Sequence, residues 1–259
     1  MIKILLILIT LLFYFSFPMM LFFSRFNYKS TYKQLIFNIL FLFIFSFYAS
    51  SQNAVDCINP HKIHQKHKNN FIHNKYLDNL SSLDSLQPEC YQINESETYR
   101  TQDDSFIVEE NINTVWQKYK TISLKDAYCG ELVSLGFVYS KNKKKIYYLN
   151  DDYEGIREGQ IYFIRLNLLG GFKRIIVAYE VTKIDEKKKM MQFCYINNGA
   201  SEGSQRIYLY KTKEGFTKVE HKTFYKSHSK LRDQWLYPKF HKKIVSELHH
   251  NLMKALSLN

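Results

Sequence analysis

The sequence has little glycine and little cysteine, with 9 glycines and 4 cysteines in 259 residues. No glycine-rich loop of the phosphate-binding kind occurs, so nothing in the sequence indicates a nucleotide-binding enzyme. A Cys-x-x-Cys pair is also missing, which leaves a thioredoxin-like redox role without support. The sequence contains no internal repeat, and a repeat architecture is therefore not predicted.

A signature of nucleophilic catalysis is lacking as well. Gly199-Ala200-Ser201-Glu202-Gly203 satisfies the pattern Gly-x-Ser-x-Gly, but a nucleophile elbow needs a strand before it and a helix after it. Strand sequence follows strand sequence here, so we interpret the segment as a hairpin turn. The local motifs therefore predict no catalytic residue.

Long hydrophobic runs are confined to the N-terminus. Ile4 to Phe23 is an uncharged run of 20 residues, long enough to cross a bilayer. Leu35 to Tyr48, with 14 residues, suits the hydrophobic region of a signal peptide, and Ala49-Ser50-Ser51 supplies the small residues that a signal peptidase needs. Residues 1–51 are therefore predicted to be a signal peptide or a membrane-anchor segment, which places the rest of the chain outside the cytoplasm.

Two interpretations of residues 1–51 remain open. Translation from Met19 or Met20 would give one ordinary signal peptide, cleaved near Ser51, and hence a secreted or periplasmic protein. Retention of both runs would give a two-helix membrane anchor with its basic linker on the cytoplasmic side.

Residues 52–103 are polar and poor in periodicity, and we predict a mostly irregular linker. Four histidines near Cys57 offer the imidazole and thiolate ligands that zinc prefers. They are His61, His64, His67 and His73. Their spacing does not place them on one helix face, although a loop could gather them. We therefore assign no metal and no cofactor.

The four cysteines allow three disulfide pairings in an oxidising compartment, and the sequence does not choose among them. A disulfide between Cys57 and Cys90 would join two parts of the predicted linker. We expect Cys129 and Cys194 to be buried free thiols, because a disulfide between them would have to join a helix to a strand.

From residue 160 onward apolar and polar residues alternate in short segments, a period typical of β-strands. The segments end in turns such as Gly170-Gly171, where glycine supplies the positive φ that hairpins require. The five predicted strands are Gln160 to Leu169, Arg174 to Ile184, Met190 to Ile196, Ser204 to Thr212 and Thr217 to Tyr225. Consecutive hairpins make the predicted sheet antiparallel.

A long C-terminal helix follows, because apolar residues recur there every four positions. The stripe consists of Phe240, Ile244, Leu248, Leu252 and Leu256. Pro238 falls near the start of this pattern, so we expect a kink or a separate first turn there.

The residues before the sheet predict a strand, two short helices and a hairpin. The strand is Ser105 to Glu109, and the helices are Asn111 to Lys120 and Leu124 to Cys129. The hairpin joins Glu131 to Tyr139 with Lys145 to Leu149.

This order of elements resembles the helix-grip domains of the START-like (SRPBCC) superfamily, which includes lipid-transfer domains, the birch-pollen allergen and polyketide cyclase-like proteins. The resemblance covers Asp104 to Leu256 and rests on Val115-Trp116, on the turn Gly199 to Gln205, and on the run from His221 to His241. It implies an α+β fold in which a curved antiparallel sheet of about six or seven strands wraps around the long C-terminal helix. Residues 104–259 are accordingly predicted to form one ligand-binding domain.

The resemblance also implies a cavity under the C-terminal helix that holds a hydrophobic small molecule, such as a lipid or an isoprenoid. Polar and aromatic strand residues and one helix tryptophan are the candidate ligand-binding residues. They are Tyr162, Tyr179, Glu180, Gln192, Tyr195, Tyr208, His221 and Trp235. We favour a binding protein without catalysis. The alternatives are a cyclase or aromatase, in which Glu180 and His221 would transfer protons, and an interaction protein with a filled interior.

Positive charge is in excess, with 36 Lys and Arg against 24 Asp and Glu. Residues 1–51 contain four of the basic residues and none of the acidic ones, so the remainder still carries about +8. Basic residues crowd the start of the last helix: Lys226, Lys230, Arg232, Lys239, Lys242 and Lys243. Outside the cytoplasm such a patch favours an anionic membrane surface over nucleic acid as a partner.

Overall fold

The computed structural model describes residues 57–65, 67–78 and 80–257. The predicted signal peptide or anchor, including Leu35 to Tyr48 and Ala49-Ser50-Ser51, lies outside the described residues. Within the described ranges, no helix combines the length and the apolar character that crossing a membrane would require.

One antiparallel sheet dominates the described part of the chain. Its nine strands are β1 (Pro88–Glu89), β2 (Arg100–Val108), β3 (Val133–Ser140), β4 (Lys145–Tyr147), β5 (Gln160–Leu168), β6 (Lys173–Asp185), β7 (Met190–Ile196), β8 (Glu202–Lys211) and β9 (Thr217–Lys226). The strand order is β2-β9-β8-β7-β6-β5-β3-β4, and β1 pairs with β7. Seven strands have seven residues or more, in line with the predicted number, and β1 and β4 are short additions.

The helices are α1 (Lys68–Ile72), α2 (Ile112–Thr121), α3 (Leu124–Tyr128) and α4 (Tyr237–Ser257). Asn111 caps α2, because its side-chain oxygen accepts hydrogen bonds from two backbone N–H groups of the first turn. A π-helical turn, Arg232–Leu236, leads into α4 just before Pro238. The interruption expected at this proline is therefore present, since proline cannot supply the N–H that a regular helix needs.

The sheet curves around α4. This helix contacts both β2 and β3, which are the first and seventh strands in the sheet order. Neighbouring strands lie about 4.8 Å apart, so a flat sheet would separate β2 from β3 by about 29 Å, more than twice the width of a helix. Ile244 and Leu252 of α4 are buried in the core between helix and sheet. The predicted α+β helix-grip architecture is confirmed.

Glu247 fastens α4 to the start of β3. Its carboxylate accepts hydrogen bonds from three consecutive backbone N–H groups, those of residues 131–133, at 2.9 to 3.1 Å. A Cβ on the preceding residue, Gly130, would overlap this carboxylate. The glycine therefore lets the helix approach the strand closely enough for the three bonds to form.

A second hydrophobic core lies on the outer face of the sheet. Ile58, Phe71 and Leu77 pack there against Phe137 and Phe163 of β3 and β5. The prediction that residues 52–103 are a linker therefore needs correction, because much of this segment is part of the domain. Its apolar residues follow neither a helical nor a strand period, so periodicity gave no sign of their burial.

A disulfide joins the covering segment to the sheet. It links Cys90 to Cys194 of β7, whereas Cys57 and Cys129 are exposed free thiols. This differs from the disulfide between Cys57 and Cys90 and from the buried free thiols considered above. Because β1 pairs with β7, Cys90 follows directly after a strand that lies beside Cys194.

Candidate ligand-binding cavity

A cavity of about 530 Å³ lies between the sheet and α4. Apolar side chains form most of its wall, among them Ile164 and Leu166 of β5, Val177 of β6, Phe193 of β7 and Leu248 of α4. Cavities of about 300 to 1,000 Å³ with such walls hold small organic molecules. The space between the sheet and α4 is therefore not filled by side chains.

Four of the eight predicted ligand-binding residues line this cavity. They are Tyr162, Tyr179, Tyr195 and His221. Tyr162 pairs with Tyr179 across β5 and β6, and Tyr179 pairs with Tyr195 across β6 and β7. Directly paired residues point to the same face of a sheet, so these three rings form one row on the inner face.

The other four predicted residues lie elsewhere, and the prediction is corrected for them. Glu180 faces the outer side and forms an ion pair with Lys141 at 2.7 Å. Gln192 also faces outward and accepts a hydrogen bond from Arg206 at 2.8 Å. The remaining two are Tyr208, which stacks on Tyr210 of the same strand, and Trp235, which is 70% exposed.

The physical reason for the misplacement of Glu180 is that both faces of β6 are covered. Ile175, Val177 and Tyr179 face the cavity, while Ile176 and Ala178 pack in the outer core. Apolar residues on both faces remove the contrast from which the inner face could be recognised. The proton-transfer pair of Glu180 and His221 considered for an enzyme does not exist, because the two side chains lie on opposite faces.

A continuous chain of hydrogen bonds crosses one side of the cavity, from β7, β8 and β9 to α4 and α2. Tyr237 Oη lies 2.5 Å from Tyr195 Oη, and Gln205 Nε2 donates to Tyr195 Oη at 2.8 Å. His221 then connects Gln205 Oε1, at 2.9 Å, to Nε2 of His249, at 3.0 Å. The chain ends where Nδ1 of His249 meets the hydroxyl of Tyr119. All six side chains line the cavity.

The amide of Gln205 fixes the direction of the hydrogen bonds between Tyr195 and Tyr119. Its N–H₂ donates to Tyr195, so its oxygen must accept, and His221 must carry its proton on Nε2. Nδ1 of His221 consequently accepts from His249 Nε2–H, and Nδ1 of His249 accepts from the Tyr119 hydroxyl. Both imidazoles are neutral in this arrangement.

At the Tyr195 and Tyr237 end of this chain of hydrogen bonds, one hydroxyl proton is not used by the bonds described so far. Tyr195 and Tyr237 carry two hydroxyl protons, and the bond between them uses one. None of the described residues accepts the other. The cavity therefore offers a neutral O–H donor at this position.

A second hydroxyl cluster lies on the β5 and β6 side. Tyr128 Oη and Tyr179 Oη are 2.7 Å apart, while the hydroxyls of Tyr153 and Tyr162 contact each other and Gln160. Together the two clusters give an otherwise apolar cavity a small number of fixed polar points. Such points orient a bound molecule.

Burial keeps these groups uncharged. It lowers the pKa of His249 to about 3 and that of His241 to about 4, and it lowers the pKa of His221 well below its usual range. It raises the pKa of both Tyr128 and Tyr195 to about 12. The histidines therefore stay neutral and the tyrosines stay protonated at physiological pH.

Sequence reasoning missed the polar residues of α4. Tyr237, His241, Val245 and His249 recur every four positions and form a line beside the apolar stripe. Two histidines in such a line were a signal that could have been read, since a line next to the buried stripe must also approach the sheet. Gln205 gave no comparable signal.

Over residues 57–65, 67–78 and 80–257, no three side chains of His, Cys, Asp or Glu come together in a way that could hold a metal ion. His64 stacks on His67, and Nε2 of His67 contacts Arg165 of β5.

The chain is similar to several solved structures. The chain is similar to the major latex-like protein 151 of Panax ginseng, with 10% identity, coverage of 61% of this chain and 97% of that one, and a TM-score of 0.44. It is also similar to norcoclaurine synthase of Thalictrum flavum, solved in complex with dopamine and hydroxybenzaldehyde, with 13% identity, coverage of 65% and 94%, and a TM-score of 0.45. A third is Ara h 8.0201, with 11% identity, coverage of 62% and 99%, and a TM-score of 0.42.

At these scores and identities, the likeness adds nothing to the strand order and register described above. No protein-family model matches the sequence, and no curated protein is significantly similar to it.

Proposed function

We propose that the domain binds a hydrophobic small molecule in the cavity under α4. The observation that carries the proposal is a volume of about 530 Å³ inside the grip, with an apolar wall and two hydroxyl clusters. The unused O–H donor near Tyr195 and Tyr237 suits a ligand with an uncharged acceptor oxygen, such as a ketone, ether or ester.

The neutrality of the polar groups favours binding over acid–base catalysis. A general base works best with a pKa near the working pH, whereas burial lowers the pKa of His249 to about 3. Among the described residues, no carboxylate lines the cavity. The polar groups are therefore suited to orienting a ligand.

Cavity filling tests the proposal. Val177→Trp places a large side chain in the cavity, while Lys183→Trp adds the same side chain at an exposed position of the same strand. We expect the full-length protein to bind an uncharged naphthalene-based fluorescent probe saturably, with micromolar affinity equivalent to about −8 kcal/mol. Val177→Trp should abolish this binding and Lys183→Trp should preserve it. Absence of saturable binding, or equal binding by both variants, would reject the proposal.

The hydroxyl donor is tested by a pair of ligands that differ in one oxygen. A long-chain methyl ketone and the matching alkane should both displace the probe. Replacing both Tyr195 and Tyr237 by Phe should lower the affinity for the ketone by about fivefold, equivalent to one hydrogen bond of about 1 kcal/mol. The affinity for the alkane should not change. Equal weakening of both ligands would indicate a packing effect.

We further propose that the start of α4 contacts an anionic membrane surface. Leu231, Trp235 and Leu236 are 68%, 70% and 50% exposed, and Lys230 and Lys239 beside them are exposed as well. Large apolar side chains among lysines are typical of surfaces that insert at the headgroup level of a bilayer. Leu236 also lines the cavity, so this surface lies at its mouth.

Two of the six predicted basic residues are engaged within the protein. Lys226 pairs with Glu95 at 2.8 Å, and Arg232 donates to the Ala200 carbonyl and the Ser201 hydroxyl. Lys230, Lys239, Lys242 and Lys243 are therefore the residues proposed to meet lipid headgroups.

Tryptophan fluorescence tests this contact at the site itself. The chain has two tryptophans, and Trp116 is fully buried, so a change on membrane binding reports on Trp235. We expect a blue shift with vesicles that contain phosphatidylserine and none with pure phosphatidylcholine. Trp235→Ala should remove the shift, and Tyr210→Ala, at an exposed aromatic residue of the outer face, should retain it. Equal shifts with both vesicle types would contradict an electrostatic contact.

A further inference from the structure

A second recess, of about 460 Å³, lies where β5 ends and β6 begins. Arg165 and Asn167 of β5, Arg174 of β6 and the turn Gly170-Gly171 line it. Because Asn167 pairs with Arg174 and Arg165 pairs with Ile176, the two arginines are diagonal neighbours on the outer face of the sheet. None of these residues lines the ligand cavity, so this recess is independent of the function proposed above.

Among the described residues, no acidic side chain forms an ion pair with the buried Arg165. The residue is 5% exposed, and within the described ranges its buried Nε has no hydrogen-bond partner. Its Nη2 lies 2.9 Å from Nε2 of His67. A guanidinium can only donate, so His67 accepts here and supplies no negative charge. A buried cation in this state is strongly unfavourable unless an anion joins it.

Arg174 increases the imbalance of charge. It lies on the neighbouring strand and faces the same recess, and two like charges at such positions repel each other. Burial and the charge of Arg174 lower the pKa of Arg165. Glu131 also borders the recess, but its carboxylate forms no ion pair with a basic side chain of the described residues. The recess is therefore positive.

Asn167 adds an acceptor that lacks a donor. Its Nδ2 donates to the Glu131 carbonyl at 2.7 Å, which leaves its Oδ1 buried and, among the described residues, without a hydrogen-bond partner. An occupant that satisfies the whole recess must accept from guanidinium groups and also donate one proton. Hydrogen phosphate has such a P–O–H group, whereas sulfate has none at neutral pH.

We propose that this recess binds a phosphate group that carries a proton, either inorganic phosphate or a phosphomonoester. The planar guanidinium forks of Arg165 and Arg174 match phosphate oxygens in geometry and charge. Asn167 Oδ1 accepts the phosphate proton. Gly170 and Gly171 have φ of 64° and 92°, and apart from the adjoining residues of the turn, no atom of the described residues lies within 4 Å of the position that a Cβ would take on either. The turn therefore leaves room for a tetrahedral oxyanion.

Titration calorimetry on the full-length protein tests the site. Sodium phosphate, glycerol 3-phosphate and sodium sulfate are compared at equal ionic strength and at about pH 5, where inorganic phosphate and the phosphomonoester both carry a proton, since the second pKa of a phosphomonoester is about 6. We expect saturable phosphate binding and sulfate binding at least about tenfold weaker, because sulfate leaves Asn167 unsatisfied. Binding of glycerol 3-phosphate as tight as that of phosphate assigns the site to phosphomonoesters. Binding of inorganic phosphate alone assigns it to the free ion.

Substitutions locate the binding. Arg174→Gln is at an exposed position, and Arg165→Gln removes the buried charge; each should weaken phosphate binding about tenfold or more. Arg100→Gln, an exposed arginine of β2, is the matched control and should have no effect. If Arg165→Gln does not fold, Arg165→Lys keeps the charge but loses the fork and should still weaken binding. Absence of saturable phosphate binding, equal binding of sulfate, or equal weakening by Arg100→Gln would overturn the proposal.

Discussion

Burial determines the chemistry of the polar residues in the cavity. His241 illustrates this most simply, because its Nε2 lies 3.5 Å from the hydroxyl of Thr223 and its pKa is lowered by burial to about 4. In the unfolded chain the same imidazole has a pKa of about 6.5. The unfolded state therefore binds a proton between these two pH values, and the folded state does not.

This difference predicts that stability falls on acidification. The contribution of His241 is complete above about pH 7 and is lost progressively as the pH decreases from about 6.5 toward 4, with a slope of about 1.4 kcal/mol per pH unit. His241→Asn should reduce the slope of the unfolding free energy by that amount in urea denaturation at a series of pH values. The exposed His250, changed to Asn, should leave the slope unaltered. Identical slopes for His241→Asn and the natural protein would contradict the burial of an uncharged imidazole.

At the scale of single residues the sequence predicted a part of the site. The inner-face position of His221 followed from the alternation of Val219, His221, Thr223 and Tyr225 along β9. The contacts of His221 with Gln205 and His249 could not be predicted, because they depend on strand register and on how closely α4 approaches the inner face of the sheet. Register between distant strands is fixed by packing rather than by local sequence.

At the scale of elements, two leucines of α4 that both line the cavity differ in how deeply they are buried. Leu252 is 4% exposed and belongs to the core. Leu248, which the sequence placed at the centre of the buried stripe, is half-buried and borders the cavity. A half-buried side chain has fewer partner atoms to lose on truncation than a fully buried one.

The two leucines should therefore respond differently to truncation. Leu252→Ala should lower the unfolding free energy by about 2 to 5 kcal/mol, and Leu248→Ala by less than about 2 kcal/mol. Both leucines line the cavity, so both substitutions should also alter the affinity for the fluorescent probe. Chemical denaturation and probe titration measure the two effects. A larger loss of stability in Leu248→Ala than in Leu252→Ala would show that the cavity is closed at this position.

The elements themselves were largely predictable. The expected segment Met190 to Ile196 coincides with β7, and the other expected strands from residue 160 onward differ from β5, β6, β8 and β9 by one or two residues at their ends. Alternation and hairpin turns are local features, so they can be read without knowledge of the fold. The first strand was less well predicted, because β2 extends back to Arg100 through polar residues that pair with β9 at the edge of the sheet.

At the scale of the whole molecule, a hydrophobic core lies on each face of the sheet. α4 covers the inner face, and the segment before β1 covers the outer face at β3, β5 and β6. The disulfide between Cys90 and Cys194 ties this segment to β7. A covering segment of irregular structure leaves no periodic signal in the sequence, and its contacts are long-range, so the sequence could not distinguish it from a linker.

The disulfide bears on where the protein resides. Disulfides persist in oxidising compartments such as the periplasm and the extracellular space, and they are rare in the cytosol. The bond between Cys90 and Cys194 therefore supports the proposal that the domain is exported. The run Leu35 to Tyr48, followed by Ala49-Ser50-Ser51, supports it independently.

Export with cleavage predicts a defined mature N-terminus. Protein isolated from its natural source should begin near Gln52, and cyclisation of this glutamine should block Edman degradation, so mass spectrometry of the N-terminal peptide is the suitable measurement. The non-reduced digest of the same sample should contain the peptides of Cys90 and Cys194 joined by a disulfide. A mature terminus at Met1 or Met20 together with this disulfide would establish the retained anchor, because the domain would still face an oxidising compartment. A terminus at Met1 or Met20 with reduced cysteines would contradict export in both forms.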